Sequence, residues 1–529
     1  MRRAILVAAV FVAALLTACD VTAPVAPAEL PSAPAVVFSP VGRYDTGLGS
    51  ASAEIVAYED DRAYVVNATA NALDILDVSD PTTPTLIDRV DLDRYGALVN
   101  SVDARGEVVV VALQAEPKTD PGTVVFLDRD GALLSSVRVG ALPDMVTFTR
   151  SGRYLLVANE GEPNATYTDD PEGSISIVDV RNFREPVVRT VSFTSFNGQE
   201  AALRTQGIRI YGPSATAARD FEPEYITIDE DDRTAFVTLQ ENNAVAVIDI
   251  EAATVTRLLP LGYKNHRLAG NALDAGDRDG PGNTPLLNIR NWPVFGMYQP
   301  DAIASYRVGG VTYFVTANEG DSRDYSGFNE EARVGAAAVV LNPTIFTDAA
   351  CNGVPCKSNA ALGRLTITTA LGRNAVSGQY DSLYVLGSRS FSIWNTAGLR
   401  VYDSGNDFET RTTALPNVLF NASNEGNALD DRSDNKGPEP EGVVLGTFGT
   451  KTFAFIGLER VGGVMVYDVT IPASPTFTTY LNTRSGATGD RGPEGLTFVS
   501  ANDSPNRKPL LIVGNETSGT TAVLQINLQ

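Results

Sequence analysis

The sequence predicts an all-β chain folded as a single β-propeller of seven or eight four-stranded blades. Three observations carry that reading. Short runs rich in Val, Ile, Thr, Tyr and Phe alternate with period two, and no long segment has helical periodicity. The runs group into units of one layout: Leu142-Pro143-Asp144 opens a unit that continues through YLLVANEGEP to SISIVDV, and Gly492-Pro493-Glu494 opens another that continues through LLIVGNETSG. These units recur at about the length of a propeller blade, and one or several β-sandwiches would not explain the matching units.

In chain order, Arg2 and Arg3 precede an apolar run at 4–16 that is too short for a permanent membrane span. Leu16-Thr17-Ala18-Cys19 follows, small residues before a Cys, as at the cleavage site of a bacterial lipoprotein signal; an ordinary secretory signal is the alternative. Residues 1–19 are therefore read as a signal peptide ending at Cys19, which would carry the lipid. Several acyl chains on one Cys give stable anchoring where one chain does not. Residues 20–35, rich in Pro and Ala, read as a semi-stiff tether, and 36–529 as the propeller. Further units open at Glu54, Glu222, Gln299 and Gly437. The last unit stops after three strands, so 36–44 is expected to supply its fourth, joining the two ends and leaving no open sheet edge. YDSLYVLGSRSFSIWNTAGLRVYDS would be an eighth unit if it stands alone. Insertions at about 190–221, 262–298, 326–379 and 404–436, filled with Gly, Asn and Asp, are too long for turns and are expected to cover one face.

Composition narrows the function classes. A formal net charge of -23 argues against nucleic acid, whose phosphates need clustered Lys and Arg, and suits cations. The chain has one His, so a Ser-His-Asp or Cys-His triad could be built only on His266. Apart from Cys19, the cysteines are Cys351 and Cys356 in CNGVPC. An oxidising compartment favours a disulfide between them, with two free thiols as the alternative.

The carboxylates fall in a pattern. A blade's first strand starts, and its antiparallel second strand ends, on the same face. Asp144 with Glu160, Glu224 with Glu241, Asp301 with Glu319, Glu441 with Glu459, and Glu494 with Glu516 would thus pair near the central channel. Like charges this close cost roughly 4 kcal/mol per pair at a surface-like dielectric. Protonation, Arg and Lys partners, or a metal ion must offset the cost. Oxygen ligands without His or Cys select a hard cation, Ca²⁺ first and Mg²⁺ second. The candidate ligands are Glu160, Glu224, Asp301, Glu319, Asp321, Glu441, Glu494 and Glu516, with a second acidic group at Asp274, Asp277 and Asp279. The plainer alternative is that these acids only start strands and shape turns. Arg323 and Arg460 are the residues that could hold phosphate oxygens if the mouth were catalytic.

At these positions the chain resembles the choice-of-anchor I family, which includes the mesenchyme-specific cell-surface glycoproteins of echinoderms and atypical alkaline phosphatases of bacteria. The matching stretches are LVANEGEP, EPEYITID, LDAGDRDG, GMYQPDAIA, TANEGDSRDY, LGSRSFSIW, VYDSGNDFE, DNKGPEPEGV and PEGLTFV. The resemblance implies an envelope location, a propeller and calcium as a ligand; it carries no catalytic set onto these residues. Two readings follow. One is a lipid-anchored envelope module that binds a cation, and through it glycans or other envelope proteins. The other is a metal-dependent phosphoesterase at the channel mouth, where metals activate water and no His is needed.

Overall fold

The computed structural model describes residues 36–528. Residues 1–35, where a signal peptide, the lipidated Cys19 and a tether are expected, lie outside the described residues. Seven four-stranded antiparallel sheets form the blades. Their inner strands, Val56–Glu59, Leu98–Arg105, Pro143–Phe148, Pro223–Ile228, Ile303–Val308, Pro440–Phe448 and Pro493–Val499, lie side by side in a ring, the last against the first. Apolar residues of each second and third strand pack against the next blade; Leu156, Ile177 and Val237, for example, share one core cluster. Alternation along each strand puts both faces of these central strands into blade-to-blade contacts, which is why they read as near-continuous apolar runs.

The ends meet as the sequence predicts. Strand Val36–Asp45 runs antiparallel to Thr520–Leu528 and completes the seventh blade, with Phe38 opposite Ile526 and Tyr44 opposite Thr521. Phe38 packs on Phe455 of the sixth blade at 5.8 Å between ring centroids.

The blade number resolves to seven. Ser390–Asn395 is not the start of an eighth unit but the third strand of blade 5, paired to Val311–Asn318 across the long insertion. Tyr384–Val385 joins a small sheet with Phe295–Met297.

Strand direction places the insertions. In every blade the inner strand starts, the second ends, the third starts and the outer strand ends on one face, called here the mouth face. The insertions at 190–221, 262–298 and 404–436 each follow an outer strand, and 326–379 lies between second and third strands. All four therefore emerge on the mouth face. They cover it as a cap. The insertions at 262–298 and 326–379 share an apolar core that includes Leu273, Trp292, Val334, Phe346, Leu362 and the adjoining Leu383, whereas Phe221 and Phe408 of the other two pack into blade clusters. Cys351 and Cys356 are joined by a disulfide inside this cap. Among the described residues no helix is long and apolar enough to cross a membrane.

Candidate functional site: an acid-lined channel mouth

The residue after the opening Pro sits in a β-bulge. Register shifts follow Pro143, Pro223, Pro440 and Pro493, and one falls at Asn100 between Val99 and Ser101. A bulge breaks the pleat and re-aims one side chain. Here it turns Asp144, Glu224, Glu441 and Glu494 into the channel, alongside Asn100 and Asp301, around a cavity of about 160 Å³. The backbone just before these strands is held under strain. Leu142, Gln299 and Glu439 precede Pro143, Pro300 and Pro440, yet adopt left-handed φ of 46°, 40° and 52°. Non-glycine residues seldom adopt this conformation, and it recurs at functional sites. Three repeats of it in equivalent places show that the mouth is built to one plan.

The second strand of each hairpin returns its acid to the same level. Glu160, Glu459 and Glu516 donate their backbone N–H to the carbonyls of Leu142, Glu439 and Gly492, the residues just before the inner strands. Burial, then repulsion from Glu459, Glu494, Glu319 and Asp301, pushes the Glu441 carboxyl well above the usual range. Burial and neighbouring carboxylates do the same to Glu160, Glu224, Asp301 and Glu494. Asp144 is raised to about 7, first by burial and then by Glu162.

Two trios bring carboxylate oxygens within 4.8 Å of one another: Asp301, Glu319 and Glu441, and Glu319, Glu439 and Glu459. The second trio already holds protein cations. Lys436 Nζ lies 2.5 Å from Glu319 and 3.0 Å from Glu439, while Arg432 and Arg460 also pair with Glu439. The first trio shares Glu319, and with it Lys436 and the Gln240 amide, but it borders the channel, where Glu441 Oε2 is buried without a hydrogen-bond partner, as is Glu224 Oε2. Carboxylate oxygens facing inward in this way fit a hard cation.

The structure thus brings Glu160, Glu224, Asp301, Glu319, Glu441, Glu494 and Glu516 to one mouth, with Asp321 exposed at its rim. Asp274, Asp277 and Asp279 lie apart, in the cap, and Asp277 is paired with Arg364 at 2.7 Å. The two arginines do not present open guanidinium groups. Arg323 is 1% exposed and bonded to Asp220 and Glu222. Arg460 is shared among Glu439, Glu459 and Asn424. His266 is buried with Nδ1 at 2.6 Å from the Asn271 carbonyl, and burial beside Lys264 lowers it to about 3, so it stays neutral. Glu222 was not among the sequence candidates, and Glu439 fell only within DDRSDNKGPEPEG at 430–442, an acidic stretch that reads equally as a metal loop or a solvated turn. The doubled Pro-Glu of PEPEG was the available signal for Glu439, whereas a lone Glu before Pro223 carried none.

A seven-bladed propeller with an acidic mouth and a capped face is the class that fold and site define. The chain belongs to the choice-of-anchor I family: the family's Choice-of-anchor I domain matches residues 54–472. Membership points to a cell-surface protein. Gigasin-3a of Magallana gigas is 32% identical over 189 residues, covering 32% of this chain and 66% of that protein. The Mesenchyme-specific cell surface glycoprotein of Strongylocentrotus purpuratus is 26% identical over 322 residues, covering 54% of this chain and 40% of its own length. The chain therefore spans less than two thirds of either relative. Among solved structures, Kuenenia stuttgartiensis hydrazine synthase aligns over 91% of this chain and 97% of its own, at 12% identity and a TM-score of 0.46. The WD40 domain of Toxoplasma gondii coronin aligns over 94% of this chain and 89% of its own, at 7% identity and a TM-score of 0.42.

Proposed function

We propose that the protein is a lipid-anchored envelope module that binds a hard cation, calcium before magnesium, at its acidic mouth, and uses the loaded mouth to engage envelope glycans or proteins. The observation that carries this reading is the Asp301–Glu319–Glu441 trio, whose oxygens lie within 4.8 Å of one another beside the unpartnered Glu441 Oε2. Chain direction supports it. The closing strand enters at Val36, beside residue 528 on the face away from the mouth, and ends at Asp45, beside Thr520 on the mouth face. A tether leading to Val36 would therefore join the propeller on the face away from the mouth.

Calcium titration of the full chain after exhaustive chelation tests the cation. Calcium is expected to bind and raise the melting temperature, and Glu441→Gln to weaken that binding at least tenfold. An unchanged response in Glu441→Gln would remove the mouth as the site. A phosphomonoester and a phosphodiester are included in the same samples; calcium-dependent phosphate release would replace the binding-module reading with the phosphoesterase one. For the anchor, Cys19→Ser is expected to move the protein from the membrane fraction to the soluble one, and retention in membranes would rule the lipid out.

A further inference from the structure

Lys436 is the last residue of the insertion at 404–436, and its side chain turns back into the mouth. The backbone that carries it is fixed. The Arg389 guanidinium, itself buried, donates to the carbonyls of Ser433 and Asn435 at 2.8 and 2.7 Å. Gly437 then turns the chain at a φ of 71°, where a side chain would meet Arg389 at 3.0 Å. Three oxygens lie around the ammonium: Glu319 Oε1 at 2.5 Å, the Gly320 carbonyl at 2.6 Å and Glu439 Oε2 at 3.0 Å. An ammonium has three N–H groups to match them.

Those oxygens are of the kind that hold a metal ion. Two carboxylates and a backbone carbonyl form an oxygen-only set suited to a hard cation, and Glu459 lies within 4.8 Å of Glu319 and Glu439. Arg432 and Arg460 also touch Glu439, but their side chains are 22% and 25% exposed against 9% for Lys436. They approach from the rim, while the ammonium holds the inner place. Glu319 belongs to both trios, the one with Asp301 and Glu441 and the one with Glu439 and Glu459. Two adjoining oxygen sets bridged by one carboxylate are the frame of a two-cation centre.

We infer that the Lys436 ammonium is a resident counter-cation that fills the second position of this frame, and thereby limits the paired trios to one exchangeable metal ion, at Asp301, Glu319 and Glu441. The first position rests on the cation reading of the mouth proposed above; the second is read from Lys436 itself. The lysine thus decides between the two chemistries the mouth could support. Two-metal hydrolysis uses ions about 3.5–4 Å apart that clamp the attacking and leaving oxygens. An ammonium is a compact charge that donates hydrogen bonds; it has no open coordination position and cannot acidify a water as a divalent ion does. With Lys436 in place, the paired trios form a binding site for a single ion rather than a dinuclear centre.

The test uses the full chain after chelation, with calcium chloride as the probe and calorimetry to count ions. The wild type is expected to bind an ion that Glu441→Gln removes and Glu459→Gln leaves in place. Lys436→Met keeps the length of the side chain without its charge. It is expected to bind one ion more than the wild type, and adding Glu459→Gln should remove that ion. In chelator Lys436→Met should melt below the wild type, because Glu319 and Glu439 lose their inner cation. Calcium should then raise its melting temperature more than it raises that of the wild type, and should refold the variant if chelator unfolds it. A lysine that only tied the insertion to the blade would give a loss that calcium does not repair. An unchanged ion count in Lys436→Met, or a calcium response no larger than that of the wild type, would overturn the inference and leave the first ion standing. So would loss of an ion from the wild type on Glu459→Gln, since the second position would then already exchange with metal. The opposite result separates the two readings: no ion sensitive to Glu441→Gln in the wild type, beside a gained ion sensitive to Glu459→Gln in Lys436→Met, would remove the first position and keep the second.

Discussion

Replacing Arg323 by methionine should destabilise the protein by about 3–5 kcal/mol, the usual loss when one partner of a buried ion pair is removed. The guanidinium is 1% exposed and lies 2.7 Å from Asp220 Oδ1 and 3.1 Å from Glu222 Oε1. It also donates to the Asp220 carbonyl at 2.8 Å and stacks 4.4 Å over the Tyr211 ring. Methionine fills much of the volume and supplies none of these bonds. Asp220 keeps the backbone N–H groups of Tyr211 and Gly212 and the Asn242 amide, but Glu222 loses the one ion-pair partner it has among the described residues. Burial already pushes Glu222 well above the usual range, with Arg323 as the opposing influence, so in the variant it would take up a proton at neutral pH. Adding Glu222→Gln to Arg323→Met should therefore recover about 1–3 kcal/mol, the cost of leaving a buried polar group unsatisfied. Urea unfolding of the four members of this cycle measures both numbers. Recovery near zero would show that Asp220 alone is the partner that counts; an undamaged Arg323→Met would mean that the guanidinium faces solvent or ligand instead. This residue ties the insertion carrying Asp220 to the segment leading into 326–379, so loss of activity on its removal would not by itself identify a phosphate clamp.

That case shows where the sequence was informative and where it was not. Blade hairpins are local, so the Pro-acid start and the Asn-Glu end of the inner hairpins of blades 3 and 7 place Asp144 by Glu160 and Glu494 by Glu516 on one face without any tertiary information. The bulge that turns the acid inward follows from the same few residues. Contacts between insertions are a different matter. Arg323 is a basic residue near the mouth in sequence, but its partners come from an insertion a hundred positions earlier, and no periodicity links them. The eighth unit fails for a related reason: the insertion separates Asn318 from Ser390, which are paired neighbours, so SFSIWN looks like a new unit when it completes an old one. Asp277 looks equivalent to Asp274 and Asp279 in LDAGDRDG, yet Arg364 takes its carboxylate. Spacing could not distinguish them because the arginine arrives from the far insertion.

In chelator, stability should fall by roughly 2–5 kcal/mol as pH rises from 5 to 8, the reverse of ordinary acid denaturation, and millimolar calcium should restore it. The sign follows from the mouth. Glu54 and Glu459 are raised to about 8 and Asp144 to about 7, each by burial first and by neighbouring carboxylates next. Their folded values lie above the unfolded ones, so the folded chain holds more protons throughout that interval. Their contribution is complete below the unfolded carboxylate range near 4 and is lost as pH climbs through 7 and 8. One such group changes stability by about 1.4 kcal/mol per pH unit within its window, but these acids repel one another and titrate as a set, which keeps the total well below the sum. Glu439 behaves oppositely and does not mask the effect. Burial raises it, but Lys436, Arg432 and Arg460 hold it at about 2, so it stays ionised across the range. The facing Lys436 ammonium is likewise kept charged, by Glu319, Glu439 and Asp321, against the effect of its own burial. In the cap, Asp274 at about 9 and Asp430 at about 7 add to the same slope. Calcium competes with protons for the mouth's oxygens, so its affinity should increase with pH over the window in which stability in chelator declines. Thermal melts at half-unit pH steps, with and without calcium, separate the two contributions: Glu441→Gln should flatten the mouth's share, and Asp279→Asn with Asp430→Asn the cap's. A flat profile in chelator would mean that water or protein cations already neutralise the ring. A decline that persists in calcium would mean that the carboxylates cannot converge on an ion, and the mouth would then be a proton store rather than a cation site.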